Sequence, residues 1–310
     1  MGQTKTQRDT LRVLIAGGGV ASLEAALALR HEAGDRVDVE ILAPEEHFTY
    51  RPLAVAEPFR VGEVRTFPLS LVAEAAGARL RRGTVTAVDP DAHVVRTSAG
   101  ERIPYDVLLL AFGAKPVDSV PGAFTFRGPE DDEGLARLLA DAREGRGRRI
   151  AFVVPSGATW PLPAYELALL ADWHLTESCV GGHEVTLVTA EDEPLRVFGP
   201  EASRAVAELL EIRGIGLRSG APAVGFEQGV LGIVGSRPLP VDHVVALPRL
   251  VGRPIEGIPS DRDGFVGVDV YGGVRDVDDV YAAGDMTNFP LKQGGIAAQM
   301  ADAAASAIAV

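Results

Sequence analysis

Leu11-Arg12-Val13-Leu14-Ile15-Ala16-Gly17-Gly18-Gly19-Val20-Ala21-Ser22 is the stretch that decides the fold. Its first six residues, mostly aliphatic and β-branched, read as a strand buried on both faces. Three glycines stop it. Val20 to Arg30, with Leu23, Ala26, Leu27 and Leu29 among alanines, reads as a helix. Val37 to Leu42 is a second strand, so the chain opens with a βαβ unit. The turn Gly17-x-Gly19-x-x-Ser22 at that junction suits a dinucleotide. Gly17 permits the tight turn, and Gly19, lacking Cβ, lets a pyrophosphate approach the backbone. The N–H groups of Val20 and Ala21 open the helix toward the phosphates. Serine takes the third glycine's place. The acid expected after the next strand is displaced. Ala43 and Pro44 stand there, and Glu45 comes two residues late, either to reach a ribose hydroxyl or to stay solvated beside Glu46.

Beyond this unit, 44–68 reads as irregular, broken by Pro44, Pro52 and Pro58; connections of that length inside compact domains are usually functional. A short helix is expected over 69–76 and antiparallel strands over 85–88 and 93–97. An apolar strand follows over 106–111, stopped by Gly113. After a Pro/Gly-rich stretch the plan restarts. Helices are expected over 130–143, 163–174 and 201–213, and strands over 149–154, 184–189, 231–234 and 243–246. Asp106-Val107-Leu108-Leu109-Leu110 matches Asp242-His243-Val244-Val245-Ala246, an internal repeat on the scale of a domain. A strand over 279–285 must join a sheet already built, and a helix over 294–308 follows it. The expected fold is α/β with two Rossmann-like, three-layer domains, the second inserted into the first. Residues 1–115 and 250–310 form one, and 116–249 the other.

Bulk properties narrow the function classes. A net charge of −13 over 310 residues repels phosphate backbones, so nucleic acid is not an expected partner. The arginines at 79, 81 and 82, and at 143, 146, 148 and 149, read as solvated edges flanking strand starts. One cysteine, Cys179, excludes an internal disulfide and a redox-active cysteine pair. No apolar run reaches the ~18 residues of a membrane span. The start, Met1 to Thr10, is polar, its short match to a myristoylation pattern is set aside, and the default address is the cytoplasm. The six histidines show no metal-ligand spacing, so no metal is expected.

A more specific signal lies near the C-terminus. Gly284-Asp285 ends an apolar strand, where a carboxylate can accept from a sugar or polyol hydroxyl. Lys292-Gln293-Gly294-Gly295-Ile296 then opens a helix whose positive dipole end would stabilise a ring that turns anionic on reduction.

Taken together, Gly17–Ser22, Leu110-Ala111-Phe112-Gly113-Ala114 and Val280–Asp285 resemble the three FAD motifs of the pyridine nucleotide-disulfide oxidoreductase superfamily, with Phe112 where threonine is usual. Tyr50-Arg51-Pro52-Leu53, Pro163-Ala164-Tyr165-Glu166 and Lys292–Gly295 resemble its sulfide:quinone oxidoreductase and type II NADH dehydrogenase branch. The resemblance implies an FAD-dependent oxidoreductase with a small-molecule donor and acceptor, a quinone among the candidates. It implies that Gly17, Gly19, Val20 and Ala21 hold the pyrophosphate, with Glu45 near the ribose and Val85 near the adenine. Ala111, Gly113, Gly284, Asp285, Lys292, Gly295 and Ile296 would line the flavin side, with Pro52 near the isoalloxazine.

The second repeat departs from this pattern. Its loop, Pro155-Ser156-Gly157-Ala158-Thr159-Trp160-Pro161, has one glycine and two prolines without N–H donors, and Trp160 would fill the space a pyrophosphate needs. A degenerate NAD(P)-like domain is expected, with an atypical nicotinamide site or a non-catalytic flavin-binding protein as alternatives. Trp160 also stands where the resemblance places a sulfur-accepting cysteine, which argues against cysteine-based sulfide oxidation. Glu166 reads as a helix-start acid. Relatives in this branch continue past the position of Val310 into a segment that caps the flavin. Membrane contact is therefore expected only through residues absent here, and homo-oligomerisation is left open.

Overall fold

The fold is that of a computed structural model, which describes residues 10–310. The myristoylation pattern at Met1-Gly2 and Thr6 lies outside the described residues. Six α-helices occur among those described: α1 Val20–Ala33, α2 Leu69–Ala75, α3 Asp132–Arg143, α4 Leu162–Glu177, α5 Pro200–Ile212 and α6 Gly294–Ile308. The chain divides into two compact units. Unit 1 holds the described residues up to Thr49, Thr66–Lys115 and Val251–Val310, and unit 2 holds Tyr50–Arg65 and Pro116–Leu250. Tyr50–Arg65 therefore groups with the inserted unit, where the sequence placed it in the first. The cause is Phe59, which is 3% exposed and packs into the core of unit 2 edge-on to His174.

Unit 1 is built on a five-stranded parallel sheet in the order Val280–Ala282, Val107–Leu110, Leu11–Ala16, Val37–Ala43, Arg79–Arg82. Side chains alternate across it. Val13, Ile15 and Leu109 pack with α1, α2 and α6. Leu14, Leu108 and Leu110 pack on the other face against Val88, Val95 and Ile103 of a three-stranded antiparallel sheet. Cover on both faces explains why these strands are continuously apolar. The third antiparallel strand, Arg102–Pro104, has no sequence signal, being short and two-thirds exposed.

Unit 2 repeats the plan in the order Phe124–Thr125, His243–Ala246, Arg149–Val154, Glu184–Thr189, Gly216–Arg218. Ile150, Phe152 and Val154 face the helices; Ala151 and Val153 face a second antiparallel sheet. The 231–234 segment belongs to that antiparallel sheet, as Val230–Ile233, and not to the parallel one. The repeat extends to single atoms. Arg12 N–H donates to Asp106 at 2.8 Å, with its guanidinium on the other carboxylate oxygen at 2.6 Å. Arg149 binds Asp242 the same way, at 2.9 and 2.6 Å. In both copies the arginine's hydrogen bonds hold the carboxylate below its ordinary pKa.

Two further sequence expectations change. The 44–68 stretch is less irregular than its prolines suggested, because His47–Tyr50 pairs with Arg65–Pro68. Arg79, Arg81 and Arg82 do not flank a strand. They form the edge strand itself, and Arg79 and Arg81 pair with Asp38 and Glu40 of its neighbour at 2.8 and 2.9 Å. A charged edge of this kind resists pairing with foreign strands.

Candidate flavin site in unit 1

The site forms where the C-terminal ends of the parallel strands meet the starts of α1 and α6. Gly17 N–H donates to Leu42 O at 2.9 Å, and Ala111 N–H donates to Ala16 O at 2.7 Å, so three strands converge on one turn. Gly17 has φ +131°, and a Cβ there would lie 2.3 Å from the Ala111 carbonyl oxygen. No other residue fits. Gly19 differs: it is the extended N-cap of α1, and a Cβ there would meet nothing within 4 Å. That open side is where a pyrophosphate can approach. No side chain caps α1 and no acid stands in its first turn, so the Val20 and Ala21 end of the helix is left for an anion. Ser22, in the third motif position, is fully buried with its hydroxyl 3.5 Å from Ala111 O.

Glu45 lies beside this turn. Its Oε2 would be 3.3 Å from a Cβ on Gly18, so the carboxylate is folded back to the glycine loop and is still exposed to solvent. The backbone of its segment is held by Arg82, whose guanidinium binds the carbonyls of Pro44 (3.2 Å) and Glu45 and the Glu46 carboxylate (3.3 Å). Sequence reading missed that role, because it depends on the register that sets Arg82 opposite Ala43. Gly83 N–H donates to Ala43 O at 3.2 Å, which brings the Val85 segment to the same corner.

The other motifs close in from the opposite side. Gly284, at φ +77°, sits where a Cβ would be 3.2 Å from Ala21 Cβ and 3.4 Å from Ala297 Cβ. Small residues on α1 and α6 thus let both helices approach the Gly284-Asp285 turn. Gly113 is also left-handed, at φ +71°, with nothing within 4 Å of its Cβ position. Asp285 is half-buried. At α6 the start is less open than the sequence implied. Gln293 accepts the Ile296 N–H at 3.0 Å, and Gly295 packs on the same side chain, so Gly294 and Gly295 carry the exposed end. Lys292 is not offered to solvent. Its ammonium binds the carbonyls of Thr287 and Phe289. Pro52 lies in unit 2, in an exposed turn.

The equivalent loop of unit 2 is built differently. Pro161 is the N-cap of α4 and Pro163 stands inside the first turn, which removes N–H donors where α1 presents them. Trp160 is half-buried and packs edge-on to Phe198, ring centroids 5.4 Å apart. Glu191 stands two residues past the strand, as Glu45 does in unit 1, but Tyr165 and Thr189 hydroxyls donate to its Oε2 at 2.8 and 3.0 Å. Glu166 lies beyond the first turn of α4, and burial raises its carboxyl pKa, the opposite of what a helix start does. Its reading as a dipole-favoured acid is therefore corrected. Cys179 is exposed, in a turn after α4. Among the described residues no group of three or more ligand side chains could hold a metal ion. None of their helices is long and apolar enough to cross a membrane.

Comparison with known proteins agrees with this fold. The family model of pyridine nucleotide-disulphide oxidoreductases matches residues 11–306. A putidaredoxin reductase of Pseudomonas putida is 29% identical over 250 residues, 76% of this chain and 56% of that protein. A sulfide-quinone reductase of Aquifex aeolicus is 26% identical over 206 residues, 64% of this chain and 47% of that protein. An NADH dehydrogenase-like protein of Mycobacterium tuberculosis is 30% identical over 298 residues, 89% of this chain and 72% of that protein. The chain thus spans about half the length of the first two. Among solved structures, the sulfide:quinone oxidoreductase of Aquifex aeolicus superposes with a TM-score of 0.86 at 21% identity, covering 96% of this chain and 76% of that one. FAD is the cofactor of the family. The open Gly19 side, the uncapped start of α1 and the buried Gly284 turn fit its pyrophosphate and ribityl chain. With a family model covering nearly all of the sequence and the fold repeated in both halves, this chain belongs to the pyridine nucleotide-disulphide oxidoreductase family.

Proposed function

We propose that the chain is the nucleotide-binding body of an FAD-dependent oxidoreductase. It passes electrons from a small-molecule donor through flavin to a quinone or another acceptor, without binding NAD(P)H in unit 2. The observation that carries this reading is the contrast between the two helix starts. α1 is uncapped and opens on Gly19, whereas α4 begins among prolines with Trp160 beside it. Bound FAD supplies the two-electron chemistry. The residues supply the rest: Gly17 to Ala21 hold the pyrophosphate, Glu45 takes a ribose hydroxyl, and Asp285 orients the ribityl chain. Sulfur uptake through cysteine is not part of the reading, since Cys179 is the chain's one cysteine.

The test is anaerobic mixing of the FAD-loaded protein with NADH or NADPH, followed by flavin absorbance. Flavin that stays oxidised with both, yet after photoreduction is reoxidised by a soluble quinone, is the expected result. Bleaching within milliseconds by either nucleotide overturns the exclusion of unit 2.

A second reading, a pyridine nucleotide-dependent reductase, is favoured by Glu191. It keeps the same two-residue offset from its strand that Glu45 has in unit 1. For this reading the Tyr165 hydrogen bond must be exchanged for a ribose hydroxyl.

A further inference from the structure

Lys292 is 6% exposed, an unusual place for an ammonium. Its Nζ donates to Thr287 O and, at 2.8 Å, to Phe289 O, and it lies 4.2 Å from the centroid of the Phe265 ring. The carbonyls it binds belong to the turn that runs from Asp285 to the start of α6. The same turn is pinned elsewhere by Thr287 Oγ1 on Gly284 O at 2.9 Å. Val266 N–H donates to Met286 O at 3.0 Å, and Asn288 N–H to Val266 O at 2.9 Å. Burial lowers its pKa to about 8, and the charges of Asp285 and Asp261 work against that shift. A methionine would fill similar volume without that desolvation cost. What an apolar side chain cannot do is tie two carbonyls together and hold a positive charge beside α6.

We propose that Lys292 is a positioning residue for the flavin: it fixes the turn between Asp285 and α6, and keeps a positive charge on that side of the site without touching the ring. This rests on FAD binding in unit 1. Reduction adds negative charge to the flavin, so a fixed cation nearby favours the reduced form and raises the potential.

The experiment measures FAD affinity of the apoprotein and the flavin midpoint potential from pH 6 to 10, in the wild type, Lys292→Met and Lys292→Arg. Wild-type protein that takes up no FAD sinks the cofactor reading itself. Given uptake, Lys292→Met is expected to bind reduced FAD about tenfold more weakly relative to oxidised FAD, a potential ~30 mV more negative. Lys292→Arg, which keeps the charge, should stay near the wild-type potential. The wild-type potential should also fall more steeply above pH 8, where the amine loses its proton, and Lys292→Met should lack that step. A Lys292→Met potential equal to wild type at every pH overturns the proposal, whatever its melting temperature. Should that variant not fold, Lys292→Gln takes its place, and a Lys292→Gln potential equal to wild type at every pH overturns the proposal.

Discussion

The phenolic hydroxyl of Tyr165 donates to Glu191 Oε2 at 2.8 Å and accepts the Leu195 N–H at 3.3 Å. Tyr165 is 1% exposed; burial first, then the carboxylate, pushes its pKa far above the ordinary tyrosine range. One side chain of α4 thereby closes the end of strand Glu184–Thr189. The acid that matches Glu45 of unit 1 in its offset from the strand becomes an internal acceptor.

Tyr165→Phe removes that donor and strips Leu195 N–H of its acceptor. The expected loss is ~1–2 kcal/mol, read as a lower urea midpoint at unchanged slope. FAD affinity should stay at the wild-type value, because the residues proposed to hold FAD, apart from Pro52, lie in unit 1. Faster bleaching by NADH in this variant would favour the second reading, since it frees Glu191.

Gly17 and Gly157 occupy equivalent turns and should respond differently to alanine. At Gly17 the new Cβ meets the Ala111 carbonyl at 2.3 Å, so Gly17→Ala must move the strands that carry the site. A loss of ~2 kcal/mol or more, with FAD binding abolished, is expected. At Gly157, φ +75° with nothing within 4 Å of the Cβ position, only left-handed strain applies, about 1 kcal/mol. Retained yellow colour in purified Gly17→Ala would contradict the cradle.

Glu166 gives a pH test with a definite sign. Burial raises its folded pKa, so the folded state favours the protonated acid. The group's contribution is complete below its unfolded pKa, about 4.3, and is lost as pH rises through the higher folded value. Glu166→Gln should match the wild type near pH 4 and be the more stable protein at pH 7 to 8. Melting curves at both pH values check it; equal stability at pH 7 would show that the carboxylate is not desolvated.

The sequence alone determined the repeated strand–helix plan, because buried parallel strands and glycine turns leave local signatures. Gly17, Gly113 and Gly284 could be picked out for the same reason: their positive φ values are backbone needs written in residue type. The doubt about unit 2 was likewise legible in Pro155, Trp160 and Pro161. Only the tertiary structure decided that Phe59 carries Tyr50–Arg65 into unit 2, that Arg82 holds the Glu45 loop, and that Tyr165 occupies Glu191. It also turned Lys292 inward onto carbonyls. Each of these depends on strand register or on side chains distant in sequence meeting in the fold. Local propensity carries no record of which charge will find which partner.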